Sequence, residues 1–232
     1  MDLILEGARQ AIALLVGADP EVLSVTLLSL AVSGSATAIS LLVGIPVGVL
    51  LALTRFPGRG IVVSLVNTGM GLPPVVVGLF VTIFIWRNGP FGSLHVLYTP
   101  AAMVIAQCVI ASPIVAGLTL AAIQQLNPRL RLQILALGAN RWQLVLLLLR
   151  EARLPLLAAV MAGFGAVISE IGASMMVGGN ILGQTRVLTT ATVMETSKGN
   201  FGTAIALSLI LLLLIYAVSA FVTAAQQRER PR

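Results

Sequence analysis

Residues 127–155 read NPRLRLQILALGANRWQLVLLLLREARLP, a basic, helix-patterned stretch set between two long apolar runs. It carries Arg129, Arg131, Arg141, Arg150 and Arg153, five of the chain's 14 lysines and arginines. Basic residues gather in the cytoplasmic loops of membrane proteins, so this stretch predicts the inner face and orients everything around it. Its punctuation predicts two short helices: Asn127 caps a helix whose first residue is Pro128, Gly138 closes it, and Asn140 caps the next. Two helices hinged at Gly138 and Ala139 form a structured cytoplasmic knob that a partner can grip.

The runs on either side are too oily for a soluble protein. Of 232 residues, 58% are hydrophobic and only 9% charged, where soluble domains carry about 25% charged residues. Mean hydropathy is +1.03. Apolar runs of about 20 residues suit helices crossing about 30 Å of hydrocarbon, and the alternation of barrel strands is absent. The expectation is one all-α transmembrane domain over residues 1–232, multi-pass, with lipid around it. The formal net charge of +6 lies in loops between spans, so topology accounts for it and no nucleic acid is expected as a partner.

Five spans follow, with the N-terminus outside and the C-terminus inside. They run from about Val22 to Thr54, Ile61 to Trp86, Pro100 to Leu126, Pro155 to Val177 and Gly202 to Val222. The first exceeds the bilayer thickness, so tilt, protrusion or a kink at Gly44–Pro46 must absorb the excess. Inside lie the doubly basic loop Arg55–Arg59, the knob and the tail QQRERPR. Outside lie 87–99 and the polar segment 178–200, the latter partly re-entrant. Residues 2–16 begin with an acid and hold Glu6 and Arg9, poor marks for a cleavable signal, and read as an amphipathic helix at the outer surface.

Chemistry is sparse along the chain. There is no phosphate-binding loop, so ATP must be bound by a separate subunit if it is used at all. Cys108 is the single cysteine, which rules out an internal disulfide or thiolate metal cluster; no metal, cofactor or catalytic residue is expected. His95, in an outer loop, lacks the serine elbow and oxyanion nest that a hydrolase needs. Gly71-Leu72-Pro73-Pro74 interrupts the second span and frees backbone groups that a membrane tolerates only where protein or a water-filled path satisfies them. Pro73 and Pro74 therefore mark a kink or a gate. Glu170 is the one acid deep in a span, where its charge costs at least about 2.5 kcal/mol, so it should face the bundle interior or a water-filled path. An ionised carboxylate repels an anion, so a gating or helix-bonding role fits it better than ligation. Thr68, Ser169 and Asn180 are neutral donors for the same path, although span hydroxyls commonly bond their own helix.

The knob's residues add a resemblance. Gly138-Ala139-Asn140-Arg141-Trp142 followed by Leu154-Pro155 resembles the cytoplasmic signature loop of ABC importer permeases, with Leu132, Gln133 and Ile134 where the family's Glu-Ala-Ala triplet stands. The segments Leu72–Leu79, Asn88–Gly92 and Tyr98–Gln107 resemble the branch that carries tungstate, molybdate or sulfate. Ser169–Ala173, Val177–Ile181, Thr185–Ala191 and Glu195–Phe201 resemble the tungstate type, and the likeness covers about residues 20–225. It implies a type I importer permease bundle, without enzymatic activity of its own, which pairs with a second copy of itself. Two ABC ATPase subunits inside and an extracytoplasmic oxyanion-binding protein outside would complete it. It further implies that Arg129, Arg131, Gln133, Gly138, Ala139, Asn140 and Arg141 couple to the ATPase, with docking resting on helix shape and arginines in the absence of the family's glutamate. A self-powered secondary transporter is the rival from another class, disfavoured by one buried acid and the lack of an internal repeat.

Overall fold

The computed structural model describes residues 2–17 and 19–228, and every regular element among them is helical. In chain order these are α1 (Asp2–Val16), α2 (Pro20–Leu53), α3 (Arg59–Met70), α4 (Pro74–Ile85), a 3-10 turn (Gly92–Leu94), α5 (Pro100–Gln124) and α6 (Pro128–Ala136). There follow α7 (Arg141–Glu151), α8 (Arg153–Ile168), α9 (Gly172–Gly178), α10 (Leu188–Ser197) and α11 (Phe201–Arg228). The end of the basic tail, residues 229–232, lies outside the described residues.

Three helices, α2, α5 and α11, are individually long and apolar enough to cross a membrane, and the count reaches five if each bent pair, α3 with α4 and α8 with α9, is one span. The bends are 106° and 57°. At 1.5 Å per residue the 34 residues of α2 extend about 51 Å, more than the bilayer core, and the helix continues through Pro46. Asp19 caps α2, its Oδ1 accepting from the amides of Glu21 and Val22 at 3.0 and 3.1 Å, with Pro20 in the first position. At the other end Arg59 donates from Nε to the Leu51 carbonyl at 2.7 Å, ahead of which Gly58 turns the chain at φ +82°.

The bundle is organised around α5. Its waist, Pro113–Thr119, is held from three sides by glycines that let neighbouring backbones come close, the packing mode that replaces hydrophobic force in lipid. Gly44 and Gly48 of α2 face Val115, Ala116 and Thr119; Gly69 of α3 faces Pro113; Gly163 of α8 faces Val115. One apolar core lies along the half of α5 that begins at Pro100, where Met103, Ala106 and Ile110 meet Val77, Val81 and Ile85 of α4, and Ala173 and Val177 of α9. A second lies at the other end, where Ala122 and Ile123 of α5 and Val49 of α2 bury Ile134, Leu144, Leu148 and Ala152. The helices of residues 127–155 are thus seated on the ends of two spans.

Two details differ from the sequence expectation. The run expected as a fourth span is two helices, broken at Ser169–Ile171, where Glu170 and Thr189 give the interrupted backbone other partners. Helix α1 runs beside α11 and antiparallel to it: Gly7 packs on Ile205, and Gln10 donates to Thr203 Oγ1 at 3.2 Å. Its amphipathic face is satisfied by a helix and not by the membrane surface alone. In the segment 178–200, expected to be partly re-entrant, the first turn of α10 is buried against α2: the Leu188 amide donates to Ser29 Oγ at 2.9 Å, at a level about 14 Å along α2 from Pro20.

Candidate translocation path and docking knob

The two breaks lie side by side. A Cβ on Gly172 would stand 2.6 Å from Val75 Cγ2, and one on Gly78 would stand 2.7 Å from the Ala173 Cα, so α4 and α9 touch backbone to backbone just past their breaks. Thr68, Pro73 and Pro74 belong to the first break, with Thr68 and Pro73 exposed in the single chain and Pro74 half-buried. The Thr68 carbonyl accepts the Gly71 amide at 3.0 Å, tightening the end of α3 before Pro73 starts α4 without a side-chain cap. Ser169 and Glu170 form the second break. Ser169 is exposed, and its hydroxyl donates to its own helix at Gly165 O, 2.7 Å away.

Glu170 is buried, at 7% exposure, and its role is legible in its bonds. Oε1 accepts the Ala173 amide at 2.7 Å, capping α9, while its carbonyl accepts the Thr189 hydroxyl of α10 at 3.0 Å. One residue ties together both sides of the break and α10. Asn180 is not part of this cluster. It lies beyond the far end of α9, in the left-handed region at φ +51°, beside Gly179, which packs on Tyr98. Its Oδ1 is buried without a partner.

These bonds support a prediction. Glu170→Ala is expected to fray α9 and lower stability by roughly 1–2 kcal/mol, the usual cost of a lost cap. Glu170→Gln, which keeps an acceptor at Oε1, should stay close to the parent. Thermal unfolding in detergent compares the two, and a Gln variant as weak as the Ala variant would show that the charge, and not the cap, is what matters.

Two residues the sequence reading did not single out for the site join it. Thr189 is one. Gln107 is the other, 2% exposed in the middle of α5, donating from Nε2 to Ser174 Oγ of α9 at 3.3 Å and leaving Oε1 unpartnered. A lone glutamine in an apolar run was the available signal, since a buried amide is costly without partners. His95 contributes nothing here: it is exposed, and its Nδ1 lies 2.8 Å from the Ser93 carbonyl oxygen.

At the other end of the bundle the knob has the caps its sequence announces. Asn127 Oδ1 accepts the Arg129 amide at 2.9 Å. Gly138, at φ +83°, closes α6 in a Schellman turn, its amide bonded to Leu135 O at 3.0 Å and that of Ala139 to Ile134 O at 3.3 Å. Asn140 and Gln143 form a reciprocal capping box at 2.9 and 2.8 Å. Arg129, Arg131, Gln133, Gly138, Asn140 and Arg141 are exposed, whereas Ala139 is half-buried and packs inward. The tip is apolar as well as basic: Leu137 is 88% exposed and Trp142 79%, one on each side of the hinge. Both flank the glycine turn, a position that is legible in the sequence.

Comparison with known proteins agrees with this architecture. Over 227 residues, 98% of this chain and all of the relative, it is 40% identical to the tungstate uptake system permease protein TupB of Peptoclostridium acidaminophilum. It is 31% identical over 212 residues, 84% of this chain and 92% of the relative, to the molybdenum transport system permease protein ModB of Escherichia coli (strain K12). The fold matches a chain of the inward-facing MetNI methionine ABC transporter with a TM-score of 0.75 at 20% identity, covering 91% of this chain and 97% of that one. Residues 44–231 match the family model described as the binding-protein-dependent transport system inner membrane component, and the chain belongs to that family.

Proposed function

We propose that the chain is the permease subunit of an ATP-driven importer of a tetrahedral oxyanion, with tungstate as its cargo. The observation that carries this is the likeness to a tungstate permease along essentially the whole of both chains. The lower identity to a molybdenum permease makes molybdate the second reading, with sulfate behind it. In this reading each bent pair is one span, giving five, with the N-terminus outside and the knob and C-terminus inside, as the arginine distribution favours. Two copies face each other across a path bordered by the paired breaks, and a binding protein delivers the anion from outside. An ATPase subunit grips each knob at Gly138, between the apolar Leu137 and Trp142 and the exposed Arg129, Arg131 and Arg141. Glu170 orders the break and does not touch the anion.

The chain itself makes and breaks no covalent bond; it alternates access. The test is uptake of labelled tungstate into vesicles containing the permease, its ATPase and its binding protein, with molybdate and sulfate as competitors. ATP-dependent tungstate uptake that molybdate inhibits only in excess is the expected result. Preferential molybdate or sulfate uptake would move the cargo assignment. Uptake that persists without the ATPase would replace the importer by a self-powered transporter.

A further inference from the structure

Away from the breaks, a cavity of about 250 Å³ opens where the end of α1, the start of α2, the middle of α10 and the start of α11 converge. Its lining is divided. Leu14, Val22, Val25, Met194 and Leu207 make one side apolar; Asp19, Glu21, Arg186, Glu195, Gln10 and Thr203 supply the polar side. The cavity sits at the level where the apolar runs of α2 and α11 begin, which is the membrane–water boundary in the membrane reading of this chain, whatever anion it carries.

The charges in it are incompletely satisfied. The Arg186 side chain is only 15% exposed, yet its Nε has no hydrogen-bond partner, and Nη1 reaches Glu21 Oε1 at a long 3.4 Å. Glu195 is already committed, to Lys198 at 2.9 Å and Asn200 at 2.8 Å, and these bonds hold its carboxyl below the usual range. Asp19 spends Oδ1 on the α2 cap. What remains is a guanidinium whose Nε is enclosed and whose Nη1 is only loosely held, beside Asp19 and Glu21, which have no cation but Arg186 among the lining residues.

We propose that this cavity seats the headgroup of phosphatidylethanolamine from the adjoining leaflet. The phosphate accepts from Arg186, for which a guanidinium is the best matched side chain. The primary ammonium then bonds Glu21 and Asp19, and the acyl chains leave over Leu14, Val22, Val25 and Leu207. A zwitterion satisfies both signs of charge at once, which an anionic lipid or a simple anion does not. Phosphatidylcholine has no N–H to donate, and phosphatidylglycerol has no cation.

The test is native mass spectrometry of the purified transporter after delipidation and reloading with equal amounts of the three lipids. The parent is expected to retain phosphatidylethanolamine over the other two, and Arg186→Gln and Glu21→Gln each to reduce that retention about tenfold, a loss of about 1.4 kcal/mol. Glu151→Gln, in the knob, should leave it unchanged. Equal retention of all three lipids by the parent overturns the proposal without any variant, and so does undiminished retention in both cavity variants. Soluble phosphoethanolamine raising the melting temperature as much as the lipid does would place the ligand in solution and overturn the lipid assignment. Failure of tungstate uptake would leave this readout untouched, so the two proposals fail separately.

Discussion

Gly138→Val is expected to abolish ATP-driven uptake while leaving the permease folded, and Gly138→Asn to retain most of it. Gly138 holds φ +83° and ends α6 through two backbone bonds to Leu135 and Ile134. A β-branched residue is an outlier in that region, at a cost of at least roughly 1–2 kcal/mol, so the turn opens and the angle between α6 and α7 changes. Asparagine tolerates the same conformation. Space is not the issue, since a Cβ there meets nothing within 4 Å. Stability should hold because the buried seat of the knob, Ile134, Leu144 and Leu148, is unaltered. What moves is the relation of Leu137 to Trp142 across the hinge. Co-purification with the ATPase and ATP-dependent tungstate uptake are the measurements, and a Val variant that couples normally would sink the docking assignment.

Gly78→Val should have the larger effect on the fold itself. A Cβ at Gly78 would stand 2.7 Å from the Ala173 Cα, 3.2 Å from its Cβ and 3.3 Å from Met176 Sδ. The nearest obstacle is backbone, so no rotamer change relieves it. Overpacking of this kind costs typically about 1–3 kcal/mol and forces α4 away from α9, separating the two breaks. The expected outcome is a clearly lower melting temperature together with loss of uptake. Gly165→Ala is the matched control: it lies within α8 with nothing within 4 Å of the added carbon, and should be neutral or stabilising by about 0.5–1 kcal/mol. Equal losses in both variants would mean that the close approach at Gly78 carries no special burden.

Much of this architecture is legible in the sequence because its signals are local. The caps at Asn127 and Asn140, the closing turn at Gly138 and the break at Pro73–Pro74 all depend on residues within a few positions of the event. The break at Ser169–Ile171 has no such marker. It contains no proline, and its bonding partner Thr189 lies 19 residues downstream, so the chain reads there as one continuous apolar helix. The fate of α1 is hidden for another reason: an amphipathic face is equally well met by a membrane surface or by another helix, and the contacts of Gly7 with Ile205 and Gln10 with Thr203 decide. The knob's charge is conspicuous in sequence, whereas the exposure of Leu137 and Trp142 depends on which faces α6 and α7 turn towards α2 and α5. Asn180 groups with the path by its polarity and its neighbours in the chain, whereas the seven residues of α9 carry it away from the breaks.

The glycine clamp on the waist of α5 has a mechanical consequence. Gripped near Ala116, with Pro113 inside the grip, α5 would act in any tilt as one piece as a lever with unequal arms. Its short arm, to the knob's seat at Ala122 and Ile123, is about 10 Å, and its long arm, to Met103 beside α9, is about 20 Å. Any tilt about that pivot moves the two ends in opposite directions and roughly doubles the travel at the far one, so an ångström of push from below becomes about two at the opposite end. Gly44, Gly48, Gly69 and Gly163, which add no side chain of their own to these contacts, would act as the bearing. They hold the helix close while presenting little for a rocking motion to catch on.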